Sequence, residues 1–189
     1  IFDTERNPKE SSQSLGEAVY STLKTAINRL AELKPDVLIE FRNTYANLAS
    51  RQLANIYRSS DVPINFILNR WQVTMLRLLT PDRAIHFDPA LWHQDDSDEN
   101  VAVHLINAII SVPMVSIELE VYPQSHYDLI RYWISFYNEH RDTIIHGNFQ
   151  PHFIFGHVGL IRFVGKQEQI IGLYGDIPVT IQQDPIPLW

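Results

Sequence analysis

Asp61 closes the stretch Ile56-Tyr57-Arg58-Ser59-Ser60, and Val62-Pro63 leads from it into apolar residues at helical spacing. A carboxylate at the carboxyl end of a strand, just before a helix, sits where parallel α/β sheets and barrels carry their chemistry. The layout recurs on either side: Arg42 and Tyr45 follow an earlier apolar run, and His86 and Asp88 end a later one. His86 and Asp88 alternate with Ile85 and Phe87, so on a strand the polar pair shares one face. Such a pair can hold a substrate hydroxyl, tune a proton or begin a metal site. A satisfied, hydrogen-bonded pair lining a pocket is the plainer alternative. His93 could supply a third ligand, but it lies beyond Pro89 at a spacing that matches no zinc signature. Asp61 has a plain alternative as well, as the N-cap of a helix with Pro63 in its first turn. Arg58 reads equally as an ion-pairing surface residue.

Aromatic rings suit the C–H faces of sugars, and Trp92, Trp71 and Tyr45 are candidates for that role. Trp71 falls at helical spacing and is expected in the core. Trp92, on a loop beside the His86–Asp88 pair, is the better stacking candidate. Tyr132, Trp133, Phe136 and Tyr137 look like the packing face of a helix. The sequence holds no Gly-rich phosphate loop, Gly-x-Ser-x-Gly elbow or His-Glu-x-x-His helix, and no serine, histidine and acid group into a triad.

The elements that must position these residues follow from periodicity. Ser14 with Glu17 forms a capping-box pattern, and Leu15, Val19, Leu23, Ala26, Ile27, Leu30 and Leu33 then recur at helical spacing. Lys34-Pro35-Asp36 ends that helix. Residues 37–41 read as a short strand buried on both faces, Glu40 included, and 43–54 as loop. Further strands are expected at 55–60, 83–87 and 112–119, with helices at 63–79, 99–110 and 125–145. This alternation is that of a parallel sheet. Past residue 150 the pattern changes: strand-like segments at 153–155, 158–164, 169–174 and 178–181 are split by glycines, as in an antiparallel module. The boundary is set near residue 149, dividing 1–149 from 150–189.

Composition bounds the rest. The chain has 189 residues, 45% of them hydrophobic, enough for a packed core. Cysteine is absent, which excludes disulfides and thiolate metal sites and leaves the compartment, cytoplasmic or periplasmic to extracellular, open. A net charge of −7 with no basic stripe argues against nucleic acid. The apolar runs are too short to span a bilayer. Ile1-Phe2-Asp3 carries neither an initiator Met nor a signal-peptide core. A processed terminus would account for it; a fragment of a longer polypeptide is the expectation here.

Taken in order, these segments resemble the C-terminal part of glycoside hydrolase family 36, the α-galactosidase or melibiase group. The matching pieces are Leu38-Ile39-Glu40-Phe41-Arg42 with Tyr45, Asn55 through Pro63 with Asn69-Arg70, and Leu76-Arg77-Leu78-Leu79. They continue with Ala84-Ile85-His86-Phe87-Asp88 and Trp92, Ile109 through Ser116, and His140-Arg141-Asp142 to Gly147. The order is collinear over residues 37–147. The resemblance implies an α/β fold: the last four strands of a (β/α)8 barrel, then a small antiparallel β module. It implies retaining hydrolysis of α-galactoside-type or related α-glycosides without a cofactor or metal. Asp61 falls on the family's general acid/base, and the family nucleophile, on the fourth barrel strand, would precede residue 1. Arg42, Tyr45, Arg58, His86, Asp88 and Trp92 would line the sugar site.

Two departures bear on the sugar. Arg42-Asn43-Thr44-Tyr45 stands where commoner members carry a Gly-rich segment with a Cys, and Val62 where Asn or Cys often follows the acid. With one of the two carboxylates, the chain alone is expected to be inactive, and to self-associate or to need the missing half of the barrel. The alternative is a non-catalytic carbohydrate-binding or assembly module of a larger glycosidase-like protein. A separate α/β enzyme on a half barrel is the third reading.

Overall fold

A computed structural model describes residues 14–42, 47–176 and 178–179. Helix α1 (Leu15–Leu33) starts at Ser14, whose hydroxyl accepts from the Glu17 amide at 3.2 Å. Three short strands follow, β1 (Glu40–Arg42), β2 (Ile56–Arg58) and β3 (Ala84–His86). They pair in parallel and in chain order, with Phe41, Tyr57 and Ile85 in one register row and Arg42, Arg58 and His86 in the next. Helix α2 (Phe66–Leu79) connects β2 to β3, and α3 (Asp98–Ala108) follows β3. Parallel bridges from His86 to Val112 and from Ala90 to Val115 extend the sheet beyond β3. The segment expected as a strand at 112–119 thus touches the sheet at isolated points, interrupted by Pro113.

The two faces of this sheet differ. Tyr57, Ile85 and Phe87 are buried against Val73 and Leu76 of α2 and Val101, Leu105 and Ala108 of α3. Burying such side chains stabilises by about 1.5–3 kcal/mol each, which is what holds the helices on that face. Glu40, Arg42, Arg58 and His86 point the other way, and Glu40 and Arg42 are exposed. The expectation of a first strand buried on both faces is therefore corrected: only one face of β1 is covered.

Helix α4 (Gln124–Glu139) and helix α5 (Arg141–His146) replace the single helix expected at 125–145. The apolar period runs on across His140, so the pattern alone does not show the break. There the His140 Nδ1 pairs with Glu168 Oε2 at 2.8 Å. Tyr137 packs inward, whereas Tyr132 is exposed and leaves the packing face assigned to it.

The second sheet is antiparallel: β4 (Asn148–Ile154), β5 (His157–Val164) and β6 (Gln169–Leu173). Pro151 is tolerated because β4 lies at the sheet edge. Phe155 and Gly156 turn β4 into β5 with positive φ at both residues, the signature of a tight hairpin turn. Residues 4–13, whose polar composition with Pro8 reads as a loop, lie outside the described residues, as do 180–181; residues 178–179, expected in a strand over 178–181, form none.

The change of architecture falls at Gly147, but the β module does not build a core of its own. Val158, Ile161 and Phe163 belong to the same hydrophobic cluster as Tyr57, Leu76 and Ile144. Arg77 of α2 joins the parts: its guanidinium donates to the carbonyls of Ile110 and Ile144 at 2.7 Å each. It also lies 4.3 Å from the Phe149 ring centroid. Burial lowers its pKa to about 10. Gly147 sits where a Cβ would meet the Thr143 carbonyl oxygen at 2.3 Å, so the chain can cross to β4 only without a side chain there.

Helix α1 stands apart from this core. None of its residues is buried, and Leu15, Val19, Leu23, Leu30 and Leu33 are exposed along it. Among the described residues no helix is long and apolar enough to cross a membrane.

Candidate functional site

The polar face of the parallel sheet carries a connected set of charges that runs from Glu40, at the start of β1, to the carboxyl ends of the strands. Arg58 on β2 is central. Its Nε donates to Glu40 Oε1 at 3.2 Å, and its Nη1 donates to Asp88 Oδ1. The second Glu40 oxygen meets His86 Nδ1 at 2.5 Å. Glu40 and His86 lie on β1 and β3, with β2 between them. In a flat sheet those outer strands would stand roughly 9–10 Å apart, so the long side chains lean inward across β2.

Asp61 follows β2 on the same side. Arg42 Nη1 donates to both of its oxygens, at 3.0 and 2.9 Å, and the Asp61 side chain remains 71% exposed. Its backbone adopts φ 30°, a left-handed conformation uncommon outside glycine; such conformations cluster at functional sites. Asp61 is not the helix cap. Helix α2 begins at Phe66 and is capped by Asn65, whose side chain accepts from the Leu68 amide at 2.9 Å. Pro63 therefore precedes the helix and does not lie in its first turn.

Asp88 is buried under this rim. Its Oδ2 accepts from the Val62 amide at 2.6 Å, which ties β3 to the turn that presents Asp61. Burial raises its pKa above the ordinary carboxylate range, although the Val62 amide and Arg58 both favour the charged form. A closed network beneath fixes these two turns. Ser59 Oγ donates to Asn69 Oδ1 at 2.5 Å, the Asp88 amide donates to Ser59 Oγ at 2.7 Å, and Asn69 Nδ2 donates to the Asp88 carbonyl at 2.9 Å. Ser59 and Asn69 are fully buried.

Of the residues expected at the site, Arg42, Arg58, Asp61, His86 and Asp88 are brought together. Tyr45 lies outside the described residues. Trp92 is a correction: at 4% exposure it packs into the core, where its Nε1 donates to His126 Nδ1 at 3.3 Å. It offers no open ring face to a sugar. Trp71 is the opposite correction, 40% exposed on α2 where a core position is expected. The α2 residues that face inward are Asn69, Arg70, Val73, Thr74, Leu76 and Arg77, polar and apolar alike, so apolar spacing misplaces the buried stripe.

His93 is directed to its own loop, accepting from the Asp95 amide at 3.3 Å. Among the described residues no three His, Cys, Asp or Glu are grouped to hold a metal ion. Two contributors escape the sequence reading, Glu40 and Asn69. Glu40 could have been found by its alternation with Arg42, which puts both on one strand face. Nothing in the sequence marks Asn69, whose importance depends on what it meets.

Chemically, the arrangement presents guanidinium donors, a histidine and an exposed carboxylate on one open face. It can bind hydroxylated ligands and move a proton at Asp61. Compared with protein-family models, curated proteins and solved structures, the chain matches none.

Proposed function

We propose that this chain is part of a retaining glycoside hydrolase acting on α-galactoside-type substrates. In that reading it forms the C-terminal half of a (β/α)8 barrel followed by a β module, and Asp61 is the general acid/base. The observation that carries the reading is the convergence of Arg42, Arg58, Asp61, His86 and Asp88 at the carboxyl ends of sequentially ordered parallel strands, where barrel enzymes place their sites.

The exposed apolar stripe of α1 and the place of β1 at the edge of the sheet among the described residues support it from another side. They are where the preceding strands of a barrel would pack.

In the proposed reaction Asp61 protonates the departing glycosidic oxygen as the C–O bond breaks. A second carboxylate, supplied by the preceding part of the barrel and standing roughly 5–5.5 Å from Asp61, attacks the anomeric carbon. Asp61 then takes a proton from the water that releases the sugar. Both Asp61 oxygens accept from Arg42 in the resting site; a protonated Asp61 keeps one oxygen to accept from Arg42, whose remaining N–H groups can bind a sugar hydroxyl.

The test is a synthetic aryl α-galactoside assay on the longer polypeptide that includes the preceding strands. Asp61→Asn is expected to lower kcat by about 10²–10⁴-fold, the usual contribution of general acid–base catalysis. Unchanged turnover would refute the assignment. The non-catalytic carbohydrate-binding alternative draws on one observation. Every oxygen of Glu40, Asp61 and Asp88 already accepts a bond from the protein, as in a site built only to bind. Galactose binding by the chain, with no strand-end Asp encoded upstream, would favour it.

A further inference from the structure

We infer that Glu40 is a positioning residue that holds His86 with a bare Nε2, creating a subsite that takes a neutral hydroxyl and rejects anions. The inference deepens the glycosidase reading and rests on it for the identity of the ligand. Glu40 accepts at both oxygens, from Arg58 Nε at 3.2 Å and from His86 Nδ1 at 2.5 Å. A carboxylate only accepts, so Nδ1 must carry the hydrogen. A neutral imidazole has one N–H; its Nε2 is then a lone pair.

The surroundings decide what that lone pair can meet. The charged groups on this face are Glu40 and Arg42 of β1, Arg58 of β2, Asp61 of the following turn, and Asp88 beyond His86. Helices α2 and α3 pack on the opposite face. Each carboxylate oxygen in the group already accepts a bond. Among the described residues nothing bonds His86 Nε2, and the ring is engaged through Nδ1 alone. His86 is partly exposed, and Arg58 stands beside it in register.

A ligand atom here meets a lone pair from the histidine and N–H donors from the arginines. A hydroxyl satisfies both, donating to Nε2 and accepting from a guanidinium. A carboxylate or phosphate has no hydrogen to give Nε2, and it brings negative charge toward three carboxylates. The subsite therefore selects a neutral sugar over a uronate or a sugar phosphate.

The test uses the full chain labelled with ¹⁵N. Two-bond ¹H–¹⁵N correlations at neutral pH read the His86 tautomer directly. Hydrogen on Nδ1 is expected in the wild type, with a shift toward the Nε2–H form in Glu40→Ala and, more mildly, in Glu40→Gln. Galactose is expected to move the His86 ring signals and galacturonate at the same concentration to leave them in place. Glu40→Ala is expected to weaken galactose binding about tenfold, the worth of one net hydrogen bond, with the amide spectrum otherwise preserved.

A wild-type ring protonated on Nε2, stronger perturbation by galacturonate, or no response to either sugar would each overturn the inference. The Asp61→Asn assay decides the glycosidase reading separately, because it does not depend on the state of His86.

Discussion

Asn69→Ala is the sharpest probe of how the site is held. The side chain is fully buried and closes the network that joins the end of β2 to the end of β3. Removing it leaves the Ser59 hydroxyl without its acceptor and the Asp88 carbonyl without its donor; the Asp88 amide keeps Ser59. Each orphaned buried group costs about 1–3 kcal/mol. The small void left by the carboxamide adds about 1 kcal/mol. A loss of about 3–7 kcal/mol is expected, a large share of the 5–15 kcal/mol typical of a domain.

Equilibrium urea denaturation at neutral pH measures it, as a lower midpoint with an unchanged slope. Asn69→Asp adds a signed test. Ionised, its second oxygen would face the Asp88 carbonyl lone pairs; protonated, its O–H can donate to that carbonyl. Its folded pKa must then lie above the ordinary carboxyl value near 4. Its stability is accordingly present below about pH 4 and lost as pH rises through the folded value. Asn69→Ala within about 1 kcal/mol of wild type, well under the cost of two orphaned groups, would refute this account. So would an Asn69→Asp penalty that does not change with pH.

Three further outcomes are expected. Burial holds the Asp88 carboxyl above its ordinary range, so wild-type stability includes a contribution present below about pH 4 and lost as pH rises through the folded value. Asp88→Asn lacks that loss, and its stability relative to wild type should improve from acid to neutral pH in thermal melts; a flat difference would contradict the shift. Phe155, 99% exposed with φ 47° ahead of Gly156, is strained, and Phe155→Asn should stabilise by about 1 kcal/mol in urea titrations. Arg77→Met orphans the Ile110 and Ile144 carbonyls while relieving a buried charge. A net loss of about 2–4 kcal/mol, read by the same titration, is expected.

The sequence by itself located the three parallel strands and the polar side chains they carry on one face, because alternation is local. The side chains of Arg58 and His86 share a face for the same reason that Tyr57 and Ile85 share the other. Ser14 could be recognised as a cap from Glu17 alone. Asp61 is a different case: whether it capped the helix or faced the rim depended on where α2 began, and Asn65 took that role. Only tertiary structure decided which aromatics were accessible. Trp92 is buried through contact with His126, remote in sequence. Trp71 is exposed because polar Asn69 and Arg70 turn inward to partners elsewhere in the fold, Ser59 and Asp88 for the first and Asn107 for the second. Glu40 belongs to the site only because the sheet brings His86 within reach across an intervening strand. Spacing fixes direction along one element. Partners across elements are chosen by packing, and packing is what a single sequence does not print.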